Sequence, residues 1–76
     1  MIIKKTEFKT DDSTTVSIRI TQRDWNGATV YSAGVWVKIP SGFKICPERE
    51  SGRLTLEEAL LDAERYEREI RGGGLK

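Results

Sequence analysis

Residues 55–71, TLEEALLDAERYEREIR, constrain this chain more than any other stretch, because they form its one long run with a helical period. Leu56, Ala59, Leu60, Ala63, Tyr66 and Ile70 recur at spacings of three and four and fall in one stripe, while Glu57, Asp62, Glu64, Arg65, Arg68 and Glu69 fall mostly outside it. The spacing predicts an amphipathic helix with one face made for burial. Thr55 followed by Glu58 fits a capping box at its start, and Glu57 and Glu58 complement the positive end of the helix dipole. Glu64 with Arg68 and Glu67 with Arg71 are i,i+4 pairs in the favourable order. Gly72, Gly73 and Gly74 close the helix with a glycine cap, and residues 72–76, ending in Leu75 and Lys76, are expected to form a loose tail.

Ahead of the helix the period changes from 3.6 to 2. Val16, Ile18 and Ile20 alternate with Ser17, Arg19, Thr21 and Arg23, which predicts a half-buried antiparallel strand over residues 16–23. Asn26-Gly27 then supplies a hairpin turn, since both residues accept positive φ, and residues 29–39 return as the partner strand. Val35, Val37 and Ile39 point inward there and Gly34, Trp36 and Lys38 outward, with Ala33-Gly34 marking a bulge or a close approach. Residues 2–9 read as an edge strand with Ile2, Thr6 and Phe8 on one side and Ile3, Lys5, Glu7 and Lys9 on the other. Thr10-Asp-Asp-Ser-Thr is a turn rich in side chains that bond their own backbone. Pro40-Ser41-Gly42 turns the chain again, residues 43–46 form a short strand stopped by Pro47, and residues 48–53 form a charged loop. The fold class that follows is α+β: residues 1–76 make a single small domain, a three- or four-stranded antiparallel meander with one C-terminal amphipathic helix packed on one face.

Composition narrows the chemistry. The chain has no histidine, which removes His-based triads, Cys–His dyads and imidazole metal sites, so no catalytic residue, cofactor or metal ligand is assigned and an enzyme is not expected. The single cysteine, Cys46, forms no internal disulfide and reads as a small buried thiol. Glu57, Glu58 and Asp62, with Glu48 and Glu50, read as solvated or dipole-complementing carboxylates. Met1-Ile-Ile-Lys-Lys lacks the apolar core of a signal peptide and no run approaches a membrane span, which places the expected location in the cytoplasm without a membrane partner. A core of 76 residues is small, so a homodimer is among the expected states. The formal charge of +1 divides unevenly: residues 1–53 carry nine Lys/Arg against six Asp/Glu, and residues 54–76 carry four against six.

With the helix on the Val16, Ile18, Ile20 side, the opposite sheet face presents Arg19, Thr21, Arg23, Trp36 and Lys38, with Trp25 at the hairpin tip. Cations that neutralise phosphates beside an aromatic that stacks on a base suit nucleic acid. The same face, with Trp and Arg, also suits a protein partner, as in a phage or mobile-element accessory protein that regulates a larger machine. Against both stands an ordinary polar outer face in which Trp36 packs beneath Arg and Lys stems.

The run TVSIRITQ, the Asn-Gly hairpin, TVYSAGVWVKI and the final TLEEALLDAERYEREI resemble, over residues 14–71, the AP2-like arm-type DNA-binding domains of phage integrases. That resemblance implies a three-stranded sheet laid in the major groove and groove contacts from Arg19, Arg23, Trp36 and Lys38. WVKIPSGF leading to TLEEALLDA is similar to the N-terminal domain of HicB-type antitoxins, which implies a toxin as protein partner.

Overall fold

A computed structural model describes residues 1–73 and shows five elements in chain order: β1 (Ile2–Lys9), β2 (Thr15–Trp25), β3 (Ala28–Ile39), β4 (Gly42–Glu50) and α1 (Leu56–Arg71). The strands form one antiparallel meander in the order β1-β2-β3-β4, and α1 packs on one side of it, over β2 and β3. Gly74, Leu75 and Lys76, and with them most of the expected tail, lie outside the described residues.

β2 and β3 pair one to one from Val16 opposite Val37 to Trp25 opposite Ala28. Asn26 at φ 51 and Gly27 at φ 79 occupy the two loop positions, the left-handed pair that matches strand twist in a two-residue hairpin. This register stacks Val16, Ile18 and Ile20 beside Ala33 and Val35 under the helix, where all five are buried with Ala59, Tyr66 and Ile70. At about 25 cal/mol per Å² of apolar surface removed from water, that cluster is the main favourable contribution to stability. Leu60 and Ala63 pack at its margin, while Leu56, expected in the stripe, is 39% exposed because it sits in the first turn.

Four expectations from the sequence are corrected. A bulge between Ile2 and Lys4 shifts the β1 register, so that Ile3 packs against the core and Ile2 is exposed, the reverse of simple alternation. Pro47 does not stop β4, because an edge strand has an outer side where a missing N–H costs no ladder bond. The chain bulges between Ile45 and Glu50 and rejoins β3: Ser51 N donates to Ala33 O, and Tyr31 and Arg53 exchange backbone bonds of 2.8 and 2.7 Å. The segment read as a charged loop is therefore partly sheet. Asp62, expected on the solvent side of the helix, is buried.

The Asp62 burial is explained by Arg53. Its Nε and a terminal nitrogen donate to the two carboxylate oxygens at 2.7 and 3.2 Å, a bidentate pair that joins the helix to the segment rejoining β3. The Arg53 guanidinium holds the Asp62 carboxyl below the usual carboxylate range against the opposing effect of burial, with Arg65 assisting. The helix start is capped by Thr55, whose hydroxyl accepts from Glu58 N at 3.3 Å and donates to the Glu58 carboxylate at 2.8 Å. Glu67 pairs with Arg71 as expected, and Arg65 reaches Asp62 and Glu69. At the other end Gly72 caps the helix at φ −83 and the left-handed residue is Gly73 at φ 92.

Candidate nucleic-acid interface

The register of β2 and β3 decides which residues share the side of the sheet away from the helix. Arg19 lies opposite Gly34, Ser17 opposite Trp36, Thr21 opposite Ser32 and Arg23 opposite Val30. The Pro40-Ser41 turn sets β4 so that Lys38 faces Phe43 and Trp36 faces Ile45. These pairings bring Arg19, Trp36, Lys38, Phe43 and Ile45 into one cluster, and β1 adds Lys5, Glu7 and Lys9 along its edge.

Gly34 creates the space for this cluster. A Cβ there would sit 3.2 Å from Ile45 Cδ1, tighter than ordinary contact, and 3.7 Å from Trp36 Nε1, so Ile45 would have to give way to any larger residue. Across the empty position the Arg19 guanidinium carbon lies 5.0 Å from the Trp36 ring centre and 4.9 Å from that of Phe43. One cation thus contacts two rings, and Lys38 Nζ lies 5.5 Å from the Phe43 centre. Arg19 Nε donates to the fully buried Ser17 hydroxyl at 3.1 Å, which satisfies that polar group and fixes the direction of the guanidinium. Its terminal nitrogens are the donors left for a ligand.

All five residues expected at this site lie on this face, but they do not form one group. Arg19, Trp36 and Lys38 are clustered, whereas Thr21 and Arg23 continue along β2, Arg23 lying roughly 14 Å from Arg19 at about 3.4 Å per residue. Trp36 is half-buried beneath Arg19, the packing expected of an ordinary outer face; Arg23 and Lys38 are exposed. Trp25, on the same face at the hairpin tip, is 64% exposed. Phe43 and Ile45 were not anticipated. The signal for them was the two-residue Pro40-Ser41 turn, which by itself fixes the β3–β4 register.

The two layers differ in charge. The outer sheet face carries Lys5, Lys9, Arg19, Arg23 and Lys38, against Glu7, 3.7 Å from Lys5, and Glu50, opposite Gly34 on β4. The helix carries six carboxylates against three arginines within Leu56–Arg71. Elsewhere the chemistry is sparse. Cys46 is partly buried and burial pushes its thiol up, which keeps it protonated and unreactive near neutrality. Among the described residues no group of three or more Asp, Glu or Cys side chains is placed to hold a metal ion, and no helix is long and apolar enough to cross a bilayer. Comparison with protein-family models, curated proteins and solved structures gives no match.

Proposed function

We propose that the chain is a non-enzymatic binding protein that takes nucleic acid on the outer face of its sheet. The observation that carries this reading is the segregation of charge: five cations, the ring-stacked Arg19 among them, outnumber the carboxylates Glu7 and Glu50 on the face that the acidic helix leaves open. Arg19 is preorganised by Trp36, Phe43 and Ser17, so little side-chain freedom is lost when it meets a phosphate oxygen. Lys38 lies beside it, and Arg23 extends the cationic track along β2 toward Trp25, whose exposed ring is free to stack on a base. The resemblance to arm-type DNA-binding domains points to the same four side chains, Arg19, Arg23, Trp36 and Lys38.

The test is an amide NMR titration with mixed duplex DNA and structured RNA at low and near-physiological salt. Salt-sensitive shifts concentrated in residues 17–25, 34–38 and 43–45 are expected. Lys38→Ala should weaken binding and flatten the dependence of log K on log salt by about 0.9 if one duplex phosphate contact is lost. If no shifts appear at low salt, where charge contacts are strongest, nucleic acid is excluded, and the same face becomes the site for a protein partner with Trp36 and Arg19 as anchors.

A further inference from the structure

The free edge of β1 is self-complementary, and we propose that two copies of this chain pair through it, antiparallel about a two-fold axis at Thr6, to form one continuous eight-stranded sheet. The proposal does not rest on the nucleic-acid reading: Lys5 and Glu7 also lie on the outer face, but the pairing is argued from the free backbone edge and tested without nucleic acid.

The backbone bonding fixes which groups are free. Thr10 N donates to Thr14 O, so in the alternating antiparallel pattern Phe8 and Thr6 exchange bonds with Val16 and Ile18. The N–H and C=O groups of Lys5, Glu7 and Lys9 therefore point away from β2, and among the described residues β2 is the only strand bonded to β1. Such an edge is a template for another strand. A two-fold axis normal to the sheet preserves its faces and must pass beside a single residue. Centred on Lys5 it opposes Lys5 to Lys5, and centred on Glu7 it opposes Glu7 to Glu7 and Lys5 to Lys9. Centred on Thr6 it sets Lys5 against the partner's Glu7 twice over, with Thr6 against Thr6 and Lys4 against the partner's Phe8.

In that register Lys5 and the partner's Glu7 fall at a hydrogen-bonded position, so the two symmetric pairs bring four N–H···O bonds with them. Lys5 and Glu7 are both exposed and already 3.7 Å apart within one strand, so pairing builds an alternating four-charge row without burying a lone charge. Lysines on an edge commonly prevent strand addition; here the alternation of sign blocks the neighbouring registers and admits this one.

The experiment is sedimentation equilibrium on the full chain without nucleic acid, from about 10 µM to about 1 mM, the range suited to an interface well below ~1,000 Å². A monomer–dimer equilibrium is expected. Lys5→Glu and Glu7→Lys should each weaken it at least about tenfold, by replacing two attractive cross-strand pairs with repulsive ones, and the double variant Lys5→Glu/Glu7→Lys should restore it. Both positions are exposed, so an unchanged far-UV CD spectrum confirms that each variant folds. A chain that stays monomeric throughout overturns the proposal. A dimer indifferent to the single reversals, or not rescued by the double one, overturns the register.

Discussion

Replacing Asp62 by asparagine tests the junction between the helix and the sheet. The carboxylate side chain is 6% exposed and takes two donors from Arg53, whereas the Arg53 side chain is 40% exposed and stays hydrated when its partner loses charge. The loss is therefore smaller than for a fully buried pair. Asparagine keeps one acceptor oxygen and sets its NH2 against a guanidinium N–H, so roughly one charge-assisted bond of the two is lost, costing about 2 kcal/mol. For a domain of this size that corresponds to a fall in Tm of about 8–16 °C. The pH dependence carries a definite sign. Asp62 has its folded pKa lowered, so its contribution is fully present above the ordinary carboxylate pKa of 3.8 and is lost as pH falls through the lower folded value. Urea denaturation of both proteins from pH 7 to pH 2.5 measures this. The gap between wild type and Asp62→Asn should be constant near neutrality and close below about pH 4. Equal stability at pH 7, or a gap that persists unchanged in acid, would refute the assignment of Arg53 as the group that holds Asp62 in place.

Four further outcomes follow from the same structure. Ile20→Ala, at a side chain 1% exposed in the central strand, should lower the unfolding free energy by about 3 kcal/mol in denaturant titration. Thr55→Ala should cost about 1 kcal/mol, with far-UV CD showing lost helix at intermediate temperature, while Thr55→Ser is nearly neutral. Gly34→Val crowds Ile45, 3.2 Å from the new Cβ, and adds branched carbons beside Trp36, and should cost about 1–3 kcal/mol and shift the Trp36 emission spectrum. Cys46 should react with a thiol reagent more slowly than free cysteine at pH 8, and reach the free rate once urea unfolds the chain.

How far the sequence reports this fold depends on where pairing is one to one. The β2–β3 hairpin was legible because Asn26-Gly27 fixes its register and nothing interrupts the period between Val16 and Trp25. β1 and β4 each carry an extra-residue irregularity, at Ile2–Lys4 and opposite Gly34–Trp36, and strict alternation fails at both. The pattern of apolar residues cannot announce a bulge, because a bulge is selected by twist and edge contacts formed only in the sheet. Asp62 failed for a different reason. A carboxylate within a helix reads as solvent-facing unless a cation is known to reach it, and Arg53 lay in a stretch that looked like a loop. At the candidate site, Arg19, Trp36 and Lys38 were found by alternation alone, whereas Phe43 required the β3–β4 register.

On the outer face, rings and charge are arranged in a particular way. A half-buried Trp36 and Phe43 on an uncovered sheet face would make an apolar patch, yet Arg19 lies against both rings and Lys38 against one. The cover is charged, so the rings are shielded while the face presents donors instead of hydrocarbon. On the proposed reading, nucleic acid has two ways in. An anion can meet Arg19 in place, with the rings as its rigid backing, or a base can displace the guanidinium and take its position on Trp36. The first leaves the Trp36 environment nearly unchanged and depends steeply on salt; the second alters its fluorescence and depends on salt less. Trp25→Phe leaves Trp36 as the sole tryptophan, so one titration that follows emission and salt dependence together separates the two modes.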